Sequence, residues 1–471
     1  MSKEEDEKVG EKPTWRLMVH MTADAPNLQE PLRLDLEELS RPLKEMGVES
    51  AKRIIVLAQI DTASGVSKRF RLTHDKPDWL ATFPTSKKTS VPDFVNAMAE
   101  AFPSERAALV LWGHGRGVGS GFEPVHPTPG HRGAEAPDNR LMGVKVEPVG
   151  EAQHHIHLLG VDACYMASAE LLYQVRKKVS YALVPQGNIN LRGWHYDQFV
   201  DVILSDPTIE ARALGENALD QVGLSHTSPS QLSLLSLGQG GSQGDILKGA
   251  LQRLVTAIDD AYRDKDRDSQ TRNRIHDAFC EAAWAGARQF LDLASLCQVL
   301  ASRIPVREVR RAALGLLLEL VRETPAVVQP NRLVLDQLSV LSVPLGGLSL
   351  YCPWPRATSR EVAAGARNSQ VDPGEYGKLD LPKDTGWANF VFDPERMREA
   401  ERRWVRREAQ DQVDQMAAEI HGVRAGDPKP PGRAGDPKPP GRAGDPKPPG
   451  RGGDPKPAGR GDDFQIASWT A

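Results

Sequence analysis

The chain has 471 residues, 39% of them hydrophobic, with a formal net charge of −4. That length allows two or three domains and a sizeable core, and so small a charge argues against nucleic acid or an acidic ligand as partner. Residues 1–12 form a charged run with no apolar segment behind a basic end, unlike a signal or transit peptide, and the longest helical apolar run, 312–321, contains Glu319 and is far short of a membrane span.

In chain order, residues 16–21 read as a strand. Residues 32–46 read as a helix, with Leu34, Leu36, Leu39, Leu43 and Met46 at helical spacing and Gly47 ending it. A second strand spans 53–60, and 69–73 reads as a short hairpin arm. The helix predicted at 91–102 is entered through Ser90, an N-cap residue, with Pro92 in its first turn. It feeds a third strand that ends in Trp112-Gly113-His114-Gly115. This alternation of strands and helices is the signature of a doubly wound, largely parallel sheet.

Between 116 and 153 the periodicity vanishes and Gly, Pro and charge dominate, a long loop of the kind that carries function. A fourth strand ends at Cys164, a helix follows at 167–178 and a strand at 181–185. Helical patterns at 207–224, 244–262 and 277–323 come next, with strand-like runs at 231–237 and 340–351, the latter holding Pro344 at an edge or bulge. From 425 the unit AGDPKPPGR runs three times and GGDPKPAGR once more, to 460. With no apolar residue to build a core, this reads as a disordered tether, each copy closing on a Gly-Arg pair open to cleavage. The expected organisation is a disordered N-terminus (1–12), an α/β catalytic core (13–205), a helical accessory region with late strands (206–420) and a disordered repeat tail (421–471).

The chemistry concentrates at two strand ends. The runs before His114 and Cys164 are apolar runs of strand length broken by small or polar residues, as for strands covered on both faces. In such sheets reactive groups gather at the carboxyl ends of the strands. His114 and Cys164 would open onto one edge, where Gly113, Gly115 and Ala163 let a substrate backbone come close. A thiol beside an imidazole is a nucleophile beside its base. Either residue alone is more often a packing or loop residue, so the pair carries the argument. His154, His155 and His157 cluster without an acidic or cysteine partner at metal spacing, and the glycines of 238–244 lack a phosphate-loop Lys-Ser or Lys-Thr. Cys164, Cys280, Cys297 and Cys352 show no paired spacing and are expected as reduced thiols in a cytoplasmic protein.

Five ordered segments resemble the clostripain family of cysteine peptidases. These are residues 15–24 (WRLMVHMTAD), 111–115 (LWGHG), Asp162-Ala163-Cys164-x-Met166, Gly193-Trp194-x-Tyr196 and Gly347-Leu348-Ser349-x-Tyr351. The resemblance implies a caspase-like three-layer α/β/α sandwich and a cysteine endopeptidase acting on proteins or peptides. His114 would take the proton of Cys164, and the main-chain N–H groups of Gly115 and Cys164 would form the oxyanion hole. Asp162 would floor a pocket for a basic side chain, directing cleavage after Arg or Lys, or alternatively cap the helix that follows it. Strand alternation would put it on the face of Cys164. Arg192 stands just before Gly193-Trp194, where relatives often carry Asp. It would neutralise Asp162 and compete with the substrate, so Arg192 and Trp194 join Asp162 in the substrate-binding group.

In related caspase-like peptidases, loop cleavage frees the active-site mouth. That makes Arg132, Arg140 and Lys145 processing sites, cut by the enzyme itself or by an upstream activating protease. No cofactor or metal is predicted: clostripain itself is calcium-linked, which leaves calcium open, but the acidic residues here are scattered. The reading is of a zymogen in a regulated intracellular proteolytic cascade, such as a bacterial stress or defence response. The alternative is an inert caspase-fold scaffold that binds partners through its helical half and basic tail. Intact His114 and Cys164 favour the enzyme.

Overall fold

A computed structural model of the chain describes residues 12–23, 25–62, 64–84, 91–115, 117–119, 146–187, 189, 193–225, 232–264, 269–285, 290–321, 327–329, 346–354 and 371–420. The repeat tail, Ser90, Pro344 and most of the 116–153 loop lie outside the described residues. The chain divides into two units, Met1–Trp404 and Val405–Ala471.

Strand β1 (Trp15–Ala23) buries eight of its nine residues, because apolar side chains on both of its faces need cover. It lies between β2 (Ile54–Thr62) and β5 (Arg106–Trp112), parallel to both. Beyond β5 come β6 (Ile156–Asp162) and β7 (Val179–Pro185), also parallel. Antiparallel strands finish both edges. At one edge are β3 (Val66–Leu72) and β4 (Asp78–Pro84), and at the other β8 (Leu232–Ser236) and β11 (Val327–Gln329).

The sheet therefore has nine strands in the order β11-β8-β7-β6-β5-β1-β2-β3-β4, where the sequence pattern suggests about six. The expected hairpin arm is a full strand pair, and β8 and β11 from beyond residue 205 extend the same sheet. A smaller sheet joins β9 (Trp284–Ala285), β10 (Phe290–Asp292) and β12 (Ser349–Tyr351), so only the last three residues of the run at 340–351 are described as strand.

Alternation sorts the sheet's side chains into two layers. Met18, Leu111, Leu159 and Val161 pack in one core with Phe94, Val95 and Met98 of α3 (Val91–Ala101) and with Leu171 and Leu172 of α4 (Ala169–Val175). The opposite face meets α1 (Gln29–Met46), which the short α2 (Ser50–Arg53) follows, and the segment leading into α5 (Tyr196–Ser205): Trp112 reaches Asp35 of α1, and Trp194 packs on Gly160. Pro207 falls between α5 and α6 (Ala211–Ser225), which is the one helix that the pattern at 207–224 suggests, while α5 precedes that pattern. Helices α7 (Ser242–Arg263), α8 (Ser269–Glu281), α9 (Leu293–Arg303) and α10 (Arg307–Val321) continue the first core, with an aromatic cluster of Phe279, Trp354, Trp387 and Phe390. No described helix is long and apolar enough to cross a membrane.

Candidate active site

Strands β5 and β6 run in register, with Trp112 opposite Asp162, and end together. Both stop two residues short of the positions expected to react, so strand alternation does not extend from Asp162 to Cys164. One further bond, Gly113 N to Asp162 O at 3.2 Å, ties the chains as they leave the sheet. Gly113 has φ 146, a conformation that suits glycine. Gly115 then lies on the main chain of Cys164, and a Cβ there would stand 2.3 Å from the Cys164 carbonyl oxygen. His114 and Cys164 are thus carried on touching turns at the carboxyl edge of the sheet.

His114 is half-buried, and its Nε2 lies 3.2 Å from Oδ1 of Asn27, on the turn Pro26–Leu28 that follows β1. The Cys164 thiol is half-buried too; its Sγ accepts the Ile189 N–H at 3.4 Å. Burial pushes the thiol above its ordinary range, the Ile189 N–H pulls it down, and the Asp162 carboxylate pushes it up. Tyr165, the next residue, has φ 61, alone among the described non-glycine residues in being positive. Such a backbone costs about 1–3 kcal/mol and persists where its surroundings over-determine it. Here Tyr165 N donates to Gly187 O at 2.9 Å, Ala167 N donates to Pro185 O at 2.8 Å, and the Tyr165 ring stacks on Phe290 at 5.9 Å.

Asp162 is 4% exposed. Its Oδ2 accepts the Trp194 N–H at 3.1 Å and the Tyr196 hydroxyl at 3.0 Å, and a Cβ on Gly193, at φ 60, would stand 2.3 Å from it. Burial pushes this carboxyl up to about 7, against the pull of those two bonds, and Glu38 adds to the rise. The residue at the N-cap of α4 is Ser168, so Asp162 holds the Gly193-Trp194-x-Tyr196 turn onto the strand end rather than capping that helix. The Trp194 ring is buried against Gly160 and stacks on Tyr196, which leaves its main chain, not its face, to shape the site. Arg192, Arg132, Arg140 and Lys145 lie outside the described residues.

Helix α1 brings two carboxyls that the motifs do not mark. Asp35, 1% exposed, accepts the Trp112 indole N–H at 2.6 Å; burial and the neighbouring Asp162 push it up to about 9. Glu38 accepts the Tyr196 N–H at 3.1 Å and is raised by burial and by Asp197. The detectable signal was an acidic residue on the buried Leu32–Leu36–Leu39 stripe of an amphipathic helix, a position that needs a partner. Glu38, His195 and Asp197 each offer a ligand atom within 4.8 Å of the others. Asp197 also pairs with Arg41 at 3.3 Å.

The late Gly-Leu-Ser segment is bonded to the turn that follows Cys164. Ser349 N donates to Ala167 O at 2.8 Å. Gln186 donates to Asp292 at 2.7 Å and to Ser349 Oγ at 2.9 Å, and its Oε1 accepts the Gly347 N–H at 2.8 Å. Two segments more than a hundred residues apart are thereby fixed behind Cys164.

The family model described as the clostripain family matches residues 19–310. No curated protein matches at a significant level. Among solved structures, a secreted C11 cysteine protease from Bacteroides thetaiotaomicron, in complex with an irreversible peptide inhibitor, is 17% identical, with 80% of this chain and 99% of that one covered at a TM-score of 0.52. An inactive zymogen C11 protease from Parabacteroides distasonis is 15% identical, with 79% and 98% covered at a TM-score of 0.52. At these identities the likeness shows the fold.

Proposed function

The chain belongs to the clostripain family and is a cysteine peptidase, and we propose that it is an endopeptidase in which Cys164 is the nucleophile and His114 its base. The observation that carries this reading is the contact of Gly115 with the Cys164 main chain at the ends of two paired strands. His114 takes the thiol proton and the thiolate attacks the peptide carbonyl. The oxyanion accepts from the N–H groups of Gly115 and Cys164, and the imidazolium then protonates the leaving amine. Water hydrolyses the thioester. Cys164→Ala and His114→Ala variants, incubated with an unfolded protein, should release no fragments. Cleavage equal to wild type in either would overturn the assignment, and no cleavage by the wild-type chain would favour the inert scaffold.

Specificity for Arg or Lys rests on Asp162, a buried carboxyl beside Gly193 for which a guanidinium is a suitable counter-ion. Cleavage sites profiled on a whole proteome should fall after Arg despite Arg192; cuts mainly after acidic or apolar residues would overturn it. The enzyme is made as a precursor and opened by cutting at Arg132, Arg140 or Lys145, in itself or by an upstream protease, and works in an intracellular cascade of stress or defence. Four free cysteines suit a reducing compartment. Full activity of uncut chain would sink the precursor reading, and recovery of the protein only outside the cell would sink the location.

A further inference from the structure

The turn after β1 is held firmly, yet it presents one residue with no part in holding it. Pro26 fixes the backbone at its start, Leu28 is 4% exposed, Leu28 N donates to Ala25 O at 3.0 Å, and the Gln29 side-chain amide donates to Ala23 O at 2.9 Å. Asn27 between them is exposed, and the only side-chain hydrogen bond recorded for it among the described residues goes to His114. The atom facing Nε2 of His114 is the amide oxygen, at 3.2 Å. An oxygen accepts and cannot donate, so this bond requires the tautomer with the hydrogen on Nε2.

We propose that Asn27 is a positioning residue for His114: its Oδ1 accepts the Nε2–H, holds the ring plane and leaves Nδ1 as the lone pair that takes the Cys164 proton. The inference rests on the reading of His114 and Cys164 as base and nucleophile. In an imidazole the hydrogen bond made by one nitrogen decides what the other can do. When the thiol proton moves to Nδ1, the ring becomes an imidazolium whose Nε2–H still points at the amide oxygen, a charge-assisted bond stronger than the neutral one. The proton later passes from Nδ1 to the leaving amine and the ring returns to its starting tautomer. Without Asn27 the ring can turn or take the other tautomer, which has no lone pair for the thiol.

The test uses the full chain with Asn27→Ala and Asn27→Asp, reading cleavage of unfolded casein and, separately, the pH profile of Cys164 alkylation by iodoacetamide. Because Asn27 is exposed, both variants should keep the wild-type melting temperature. Asn27→Ala should lower kcat on the order of tenfold or more with KM little changed, and should slow alkylation at neutral pH. Asn27→Asp, whose carboxylate also accepts from Nε2, should restore alkylation and move the upper limb of its profile to higher pH. Wild-type kcat and alkylation in Asn27→Ala, or failure of Asn27→Asp to restore either, would overturn the proposal. Activity surviving in Cys164→Ala or His114→Ala would instead bring down the underlying assignment, so the two failures are told apart.

Discussion

Gly115 lies so close to Cys164 that a β-carbon on the glycine would meet the cysteine's carbonyl oxygen at 2.3 Å and its amide nitrogen at 2.7 Å. Both atoms are main chain, so no side-chain rotation relieves the contact. Gly115→Ala must therefore push the two turns apart, and displacement of reacting groups by about 1 Å costs on the order of a hundredfold in rate. The expected outcome is a kcat reduced by about that factor with a melting temperature lowered by only a few degrees. Wild-type kcat in this variant would mean that the turns can separate without harm to the chemistry.

Asp162 and Asp35 make the fold prefer low pH within a definite window. Their folded values, about 7 and about 9, lie above the ordinary carboxyl value. A group raised on folding gives its full stabilisation below the unfolded value and loses it as pH rises through the folded one. Stability should thus fall from about pH 4 to pH 7 through Asp162 and on toward pH 9 through Asp35. Asp162→Asn, whose amide oxygen can still accept from Trp194 and Tyr196, should flatten the lower part of that fall in urea titrations taken at each pH. An unchanged slope would assign the window to other groups.

The same titration should appear in specificity. On the proposal that Asp162 floors the basic pocket, its ionised form would hold a guanidinium, so kcat/KM for peptides cut after Arg should rise through about pH 7. Asp162→Asn should lose that step along with its selectivity for Arg. Arg-peptide cleavage that keeps the step in the variant would place the basic-side-chain pocket elsewhere.

Much of this site can be read from the chain, and the unread part has a physical reason. His114, Cys164 and the strands behind them stand out because fully covered strands leave continuous apolar runs, and reactive residues end those runs. The strands stop at Trp112 and Asp162, and the last two residues turn in ways set by glycine contacts that no periodicity records. Asn27, Asp35 and Glu38 act across the fold from the segment after β1, and their partners stand 87, 77 and 158 residues away in sequence. Local pattern carries no information about such pairs. The run at 231–237 does show β8 as a strand, but its place in this sheet and the edge strand β11 are hidden for a similar reason, since their pairing is settled by long-range register.

Chelation offers a direct test of the acidic cluster at the start of α5. Glu38 is bonded to Tyr196 N and Asp197 to Arg41, which gives each a partner within the protein. Extended dialysis against EDTA should therefore leave both kcat and melting temperature unchanged. A loss reversed by calcium in the wild type but not in Glu38→Gln would make the Glu38 and Asp197 carboxylates ligands of a metal site.

Glu170 provides the sharpest test of how the turn after Cys164 is supported. It is fully buried near the start of α4 and accepts three bonds, from Ser168 Oγ, from Tyr351 N at 2.7 Å and from the Tyr376 hydroxyl at 2.6 Å. The last two partners lie 181 and 206 residues away, so one carboxylate joins the turn after Cys164 to β12 and to the helix Pro373–Tyr376. Removing it leaves three buried donors unmatched, each costing roughly 1–3 kcal/mol. Glu170→Ala should therefore lower the melting temperature by at least about 5 °C and reduce kcat as the turn loosens. Glu170→Gln keeps an oxygen for Tyr351 and Tyr376, and the Ser168 hydroxyl can rotate to accept from the new amide. It should lose much less than the alanine variant in both measurements. Equal losses in the two variants would mean that the charge of Glu170, rather than its geometry as an acceptor, supports the turn.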